Sequence, residues 1–263
     1  MSDTLTQSVR PLPADPDLRH LKDQARDLVR SRAARTLAEA LFRVARLYGY
    51  PSWPKLKSYV ESLGLAGTLK AAIDANDLPA VRRLMTRYPD LHRARIGYRD
   101  NGPLTWVAEC RVPRVAPSPT RLAMAAWMIE NGSDVHQGGD GPLMRAALDG
   151  ERIPMMELLL RYGADVNARS LSADGRGPTP LFHAVVTSGG RDNAMAQMLL
   201  DHGAEPNARA DLRKQFRHMG DPEREKMHEY HNVTALGYAR RFQEPDMVSA
   251  AAVTLLAESG GAE

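Results

Sequence analysis

The segment ELLLRYGADVNAR, at positions 157–169, has a near copy later in the chain, QMLLDHGAEPNAR at 197–209. Both read an apolar triplet, two variable residues, Gly-Ala, an acidic residue, one variable residue and Asn-Ala-Arg. Upstream of each lies a short Pro-Leu element, DGPLMRAA at 140–147 and GPTPLFHAV at 177–185, in which leucine and alanine share one helix face. Such a period indicates a repeat protein whose unit is turn, helix, helix, turn.

The repeated residues resemble the ankyrin repeat, whose unit reads Thr-Pro-Leu-His-x-Ala and, after a second helix, Gly-Ala-Asp-Val-Asn-Ala. Thr179, Pro180, Leu181 and Ala184 match the first part, and residues 163–168 match the second completely. Weaker copies lie at 67–85, at 101–110 with 127–137, and at 233–239 with 253–261. The resemblance implies an all-α ankyrin-repeat solenoid of about five helix-turn-helix units, some of them irregular, over residues 67–263.

Glycine and proline occupy positions that have a structural reason in such a unit. Gly132, Gly163 and Gly203 follow the second helices, where a left-handed C-cap excludes a Cβ. Pro142 and Pro180 suit the first turn of a helix, where the missing N–H has no intrahelical acceptor. We therefore assign these glycines to helix ends rather than to phosphate binding.

Apolar residues account for most of the remaining pattern. The triplets at 158–160 and 198–200 are predicted to fill the seam between stacked repeats. Met144, Phe182 and Gly237 replace the histidine of the family pattern, and we expect apolar packing in its place.

One unit departs from the common spacing. In NGPLTWVAEC, at 101–110, leucine and alanine stand four residues apart rather than three. The sequence therefore leaves open whether Trp106 faces the core or the groove.

Three helices are predicted ahead of the repeats. Asp15 and Pro16 indicate the N-cap and first turn of the first helix. Thr36 and Glu39 form a capping box for the second, and the third begins at Ser52.

We expect these helices to form an N-terminal helical cap at 15–66 that covers the open end of the solenoid, after a disordered arm at 1–14. The aromatic and basic stretch YGYPSWPKLKSYVE, at 48–61, belongs to this cap. On a helix Lys55 and Lys57 lie about 160° apart, so they cannot form one basic patch. The stretch is predicted to pack rather than to bind nucleic acid.

Two runs of the cap carry a second resemblance. LKDQARDLVR at 21–30 and ALFRVARLYGYPSWPKLKSYVE at 40–61 are similar to the N-terminal helical region of a group of bacterial ankyrin-repeat proteins. This likeness implies a bacterial source.

An insertion separates the fourth and fifth units, ARADLRKQFRHMGDPEREKMHEYHN at 208–232. An Asp-Pro pair after Gly220 predicts a helix on which Glu225, His228 and His231 share a face. Such a trio suits a divalent metal, but no fourth ligand is evident, and alternating charge is typical of a solvated face. We predict that the insertion serves recognition and assign no metal or cofactor.

Composition excludes several function classes. The 35 basic and 32 acidic residues leave a formal charge of only +3, which gives little support to a nucleic acid as the partner. The single cysteine, Cys110, forms no internal disulfide and fits a cytoplasmic, reducing location. The sequence contains no signal peptide or membrane span, and no phosphate loop, nucleophile elbow or zinc-protease helix, so we predict no enzyme.

The sequence thus predicts a non-catalytic module that presents a rigid concave groove to a protein partner. Alignment to the repeat selects the groove-facing candidates Asp140, Leu148, Asp149, Asp174, Arg176, Pro178, Val186 and Thr187, followed by Tyr230 and His231. Two alternatives stay open. One is a nucleic-acid-associated regulator that uses basic residues of the cap or insertion, and the other is an inhibitor or immunity-type partner of a specific enzyme.

Overall fold

The chain forms two compact units, Met1–Thr68 and Leu69–Glu263. The structure is a computed structural model that describes residues 10–13, 16–97, 101–110, 115–170, 175–186, 192–215, 227–242 and 247–263. The predicted disordered arm lies partly outside these residues, although Arg10 N donates a hydrogen bond to Leu47 O at 2.9 Å.

The described residues are mostly helical, as the sequence predicts. The α-helices are α1 (Leu18–Arg30), α2 (Leu37–Leu47), α3 (Trp53–Asp74), α4 (Leu78–Arg87), α5 (Pro103–Glu109), α6 (Pro119–Glu130), α7 (Pro142–Ala146), α8 (Ile153–Arg161), α9 (Pro180–Val185), α10 (Ala194–Asp201), α11 (Ala235–Arg241) and α12 (Ala250–Glu258). Two strands, β1 (Ala210–Gln215) and β2 (Met227–Val233), pair antiparallel. None of the helices in the described ranges has both the length and the hydrophobicity that a membrane-spanning segment needs.

The N-terminal unit has its own core. Leu21 of α1 and Leu56 of α3 are fully buried, and Val44 of α2 belongs to the same cluster. The N-cap of α1 is Asp17, whose carboxylate accepts from Arg19 N, and the helix begins at Leu18. The predicted N-cap, Asp15, is therefore wrong by two residues, since the side chain that accepts from a first-turn N–H is that of Asp17.

Helix α3 extends further than the predicted third cap helix, because it continues through Gly64 and Gly67 to Asp74. Its last residues also settle the direction of Trp106. The indole Nε1 of Trp106 donates to Asp74 Oδ1 at 2.7 Å, and Lys70 Nζ lies 4.0 Å from the ring centroid. Trp106 is thus buried against α3 rather than exposed in a groove.

The second unit stacks helix pairs in the predicted order. Leu158 and Leu159 of α8 and Leu199 of α10 are buried, as expected for the seam between repeats. Pro142 and Pro180 are the first residues of α7 and α9. The glycines that follow the second helices have positive φ, with 85° at Gly163 and 88° at Gly203. The ankyrin-type solenoid predicted from the repeats is confirmed.

A loop follows the second helix of each pair, and we call these loops fingers. Finger 1 is 92–97, finger 2 is 134–140, finger 3 is 165–170 with 175–178, and finger 4 is 205–211. Asn167 of finger 3 joins it to the next repeat through both ends of its amide. Its Nδ2 donates to Gly203 O at 3.0 Å, and its Oδ1 accepts from Glu205 N at 2.9 Å.

Related bridges recur along the stack, through one more asparagine with two bonds and through two histidines with one bond each. Asn207 donates to Gly260 O and accepts from Ala262 N. At the corresponding position of finger 2, His136 Nε2 accepts from Asp165 N at 2.9 Å. At the corresponding position of finger 1, His92 Nδ1 lies 2.7 Å from Ser133 Oγ. We call these four side chains the inter-finger bridges.

The insertion is a pair of strands where the sequence predicts a helix. Residues Lys214 and His228 face each other in the antiparallel register, and a bulge near Asn232 places two residues of β2 opposite one of β1. Asn232 adopts a φ of 51° at this bulge, a conformation that asparagine tolerates better than most residues. The helix predicted after Gly220 is wrong for residues 227–231. These residues form β2 instead, because they pair with β1.

We expect the substitution Asn167→Ala to lower the free energy of unfolding by about 1 to 2 kcal/mol, because it removes both bonds between finger 3 and the next repeat. Chemical denaturation measures this loss. The exposed residue Glu157 of α8 gives a matched control, since Glu157→Ala should change stability by no more than about 0.5 kcal/mol. Equal effects of the two substitutions would contradict a bridging role.

A second expectation concerns pH. Burial lowers the pKa of His92 below its ordinary value of 6.5. The unfolded chain therefore binds a proton at His92 before the folded chain does, and stability falls as the pH drops from 6.5 toward the lowered pKa. In denaturation curves at pH 7.5 and 5.0, His92→Asn should reduce this loss by removing the titrating group. A wild-type and a variant with the same pH dependence would contradict the assignment.

Candidate partner-binding surface

The carboxylate of Asp211 lies near the start of β1, where the strand pair begins. Its Oδ1 accepts from Asn232 N at 2.6 Å. Its Oδ2 lies 3.6 Å from Arg176 Nε, and Oδ1 lies 4.0 Å from His231 Nδ1. Two of the predicted surface residues, Arg176 and His231, therefore meet at a residue that the sequence reasoning did not select.

Arg176 also connects finger 3 to the strand pair through its backbone. Asp211 N donates to Arg176 O at 2.8 Å, and Arg176 Nη2 donates to Asn232 Oδ1 at 3.1 Å. Nothing in the local sequence around Asp211 marks it for this role, because its three contacts come from segments distant along the chain. The one sequence signal that could have pointed to Asp211 is its negative charge, since an acidic residue of the insertion is a possible ion-pair partner for Arg176.

The outer face of the strand pair carries alternating charges. Arg213 Nε lies 2.9 Å from Glu229 Oε1, and His231 Nε2 lies 3.4 Å from Glu229 Oε2. The side chains of Arg213 and His231 are 74% and 69% exposed, so both are accessible to a partner. Exposed pairs of this kind contribute little to stability, which leaves them free to exchange partners.

The opposite face rests on an aromatic cluster. The Tyr230 ring lies 4.9 Å from that of Tyr238 in an edge-on contact, and Tyr238 lies 5.2 Å from Phe242 and 5.9 Å from Phe182. Burial raises the pKa of the Tyr238 phenol, and the neighbouring Tyr230 raises it further. Tyr230 is 6% exposed, so it anchors the strand pair more than it contacts solvent.

A cavity of about 240 Å³ opens beside β2. It is lined by His228, Glu229, Tyr230, His231 and Arg241. Two predicted residues, Tyr230 and His231, thus line a concave feature that could receive a partner side chain.

Two of the three residues weighed above as metal ligands do not share a face of the insertion. His228 and His231 lie on β2, where an odd separation points side chains to opposite faces. Glu225 lies outside the described residues. Within the part of the chain that the structure describes, no group of three His, Cys, Asp or Glu side chains could hold a metal ion.

A second set of predicted residues lies around α7. Asp140 Oδ2 lies 3.6 Å from Arg145 Nη1, and Arg145 Nη2 lies 3.4 Å from Glu109 Oε1. Asp149 pairs with Arg152 at 3.9 Å. Asp140 is buried in this network, which satisfies its charge within the protein and makes it a poor direct contact.

The remaining predicted residues are dispersed. Leu148 and Pro178 are half-buried. Val186 is buried and forms a β-bridge with Val248, so it packs inside the stack and we remove it from the candidate surface. Asp174 and Thr187 lie outside the described residues.

Cys110 is a free cysteine within the second unit. It is buried, and burial raises its pKa, which keeps the thiol protonated. Its Sγ lies 3.4 Å from Val107 O.

Comparison with known proteins agrees with this architecture. A family model described as ankyrin repeats, in three copies, matches residues 114–210. Residues 114–210 of this chain are thus ankyrin repeats. Ankyrin repeats generally serve protein–protein interaction, and the family is generally non-enzymatic.

Individual relatives match only part of the chain. Ankyrin repeat and SOCS box protein 6 of Homo sapiens is 31% identical over 134 residues, which are 47% of this chain and 30% of that protein. An ankyrin repeat-containing protein of Treponema pallidum is 33% identical over 128 residues, which are 47% of this chain and 34% of that protein. The chain spans about a third of the length of these curated relatives.

Replacing Asp211 with alanine should loosen the base of the strand pair, because it removes the acceptor of Asn232 N and the charge opposite Arg176. We expect hydrogen exchange at the Asn232 amide to accelerate about tenfold, the equivalent of one charged hydrogen bond. Asp211→Asn provides the matched control, since it keeps an oxygen acceptor and should retain most of the protection. Unchanged exchange in Asp211→Ala would contradict this role.

Proposed function

We propose that this ankyrin-repeat chain is a non-catalytic module that binds a protein partner through the strand pair and finger 3. The observation that supports it most directly is the convergence of Arg176, Asp211 and His231 beside the cavity at β2. The strand pair is inserted at a loop of the stack, and loops are the part of a protein in which binding residues concentrate.

The chemistry of this surface suits an anchored interface. Exposed Arg213, Glu229 and His231 offer both charge signs on one face, while the aromatic cluster beneath fixes the strands. A surface held in one geometry loses little conformational entropy when a partner binds. The groove around α7 contributes less, because its charges already pair with one another.

The nucleic-acid alternative has less support in the N-terminal unit. Ion pairs there join Arg26 to Asp23, Arg30 to Asp27, Arg43 to Glu39 and Lys57 to Glu61. Neighbouring carboxylates offset the positive charge that phosphate binding requires. An inhibitor or immunity-type role would be one case of the same protein-binding function, with an enzyme as the partner.

Three further parts of the proposal come from sequence. A cytoplasmic location agrees with a lone reduced cysteine, and Cys110 is a free thiol. The bacterial source and the role of residues 15–66 as a cap stay predictions.

The test is affinity capture from nuclease-treated native lysate, washed at two salt concentrations, with the wild-type chain and the double variant Arg176→Glu/His231→Ala. We expect one stoichiometric protein that survives both washes and falls about tenfold or more with the double variant, as for a residue pair central to an interface. Arg161→Glu, at an exposed arginine of α8, is the matched control and should retain the partner.

Two results would count against the proposal. Retention of only nuclease-sensitive material that is lost steeply with salt would favour phosphate-driven binding. Equal capture of the partner by the double variant and the control would show that the strand-pair surface is not part of the interface. Circular dichroism and denaturation of each variant establish that the fold is intact.

A further inference from the structure

Helix α4 carries an unbalanced positive charge. Its 10 residues include Arg82, Arg83 and Arg87 and no acidic residue. Each of the later second helices, α6, α8, α10 and α12, has one acidic residue and at most one basic residue apart from histidine. The helix dipole favours a basic residue in the last turn, which accounts for Arg87 but not for Arg82 and Arg83.

The three arginines lie on the solvent side of α4. Arg82, Arg83 and Arg87 are exposed, whereas Val81 and Met85 are buried. Along the helix axis the three positions span only about 8 Å, so their charges act together. The ion pairs among the described residues of the second unit join other side chains, so none of the three pairs with a described carboxylate. We call these three side chains the α4 stripe.

Two arginines of the stripe are positioned by aromatic rings. Arg82 Cζ lies 5.7 Å from the ring centroid of Trp127 in α6, and Arg87 Cζ lies 5.3 Å from that of Tyr88. A cation–π contact restrains the side chain without giving its N–H groups an oxygen acceptor. A guanidinium held in this way can donate two parallel hydrogen bonds to a carboxylate and loses less conformational entropy on binding.

The surface of α6 beside the stripe is uncharged. Between Arg121 and Glu130 the helix reads LAMAAWMI. Ala123, Ala126 and Trp127 lie three and four residues apart, so they share one face, which we call the α6 face. Ala123 is exposed and the other two are half-buried. The cation–π contact at Trp127 joins this apolar face to the basic stripe.

We propose that the α4 stripe and the α6 face bind an acidic amphipathic segment of a protein partner. Carboxylates of the segment pair with the arginines, and its apolar side chains cover the α6 face. Charge complementarity selects an acidic occupant. The α6 face selects a peptide over a nucleic acid, because a nucleic acid strand has a phosphate at every nucleotide and would place charge on apolar surface.

This surface belongs to the first two helix pairs of the second unit, whereas the strand pair follows finger 4. The inference therefore does not rest on the function proposed for the strand-pair surface.

The experiment measures binding of the full chain to a labelled synthetic peptide by fluorescence anisotropy. The peptide carries glutamates on one side of a helix and leucines on the other, over about four turns. We expect saturable binding that weakens as salt is added. A matched peptide with glutamine at every glutamate position should bind about tenfold or more weakly, because it forms no charge-assisted hydrogen bonds with the arginines.

Two results with these probes would overturn the proposal. Equal affinities of the two peptides would show that the arginines do not recognise carboxylates. Tighter binding of a duplex oligonucleotide than of the acidic peptide would show that the occupant is a nucleic acid.

The variant Arg83→Ala/Arg87→Ala should weaken binding of the acidic peptide about tenfold or more. Arg161→Ala is the matched control, because Arg161 is exposed and ends α8 as Arg87 ends α4. The control should bind the peptide as the wild type does, and equal affinities of the control and the double variant would contradict the site. Both replaced arginines are exposed, so the double variant should fold, and circular dichroism checks this.

A further variant separates this inference from the function proposed above. Arg176→Glu/His231→Ala alters the strand-pair surface and should leave the affinity for the acidic peptide unchanged. A loss as large as that in Arg83→Ala/Arg87→Ala would place the peptide on the strand pair. That result would overturn the site on α4 and α6 without contradicting a role of the strand pair in partner binding.

Discussion

The second unit depends on contacts between neighbouring repeats, because no helix pair of this size can bury its own apolar face. The short helices α7 and α9 make this plain, since five or six residues cannot be stable alone in water. Burial of residues such as Leu159 and Leu199 supplies most of the stabilisation. The inter-finger bridges add direction, since an amide that both donates and accepts fixes the register of one repeat on the next.

Much of this architecture could be predicted because its signals are local. A left-handed helix end needs glycine, a first turn accepts proline, and both requirements act within a few residues of Gly163 and Pro180. The helix period of the apolar triplets is equally local. The sequence therefore specifies the helix pairs and their order without reference to distant contacts.

The strand pair could not be predicted in the same way. Charged and aromatic residues around His228 and His231 fit a helical spacing, and the pairing that makes them a strand comes from residues 210–215. Cross-strand partners are separated along the chain, so a local reading misses them. The same limit applies to the surface. Alignment selected Arg176 and His231 as separate candidates, but it could not reveal that Val186 is buried or that Asp211 lies close to both.

The bridges between fingers connect nearest neighbours only, and this has a consequence for how two surfaces on one stack can cooperate. A disturbance at one junction must pass through each intervening repeat, and its energetic effect is expected to fade along the way. Long-range allostery would then be weak. A partner that reaches two separate features of the stack would instead gain from bivalency, since engagement of the first raises the effective concentration at the second. In such a molecule the spacing of the repeats determines which two features a partner can reach at once. The choice of partner then depends on this geometry as much as on any single contact.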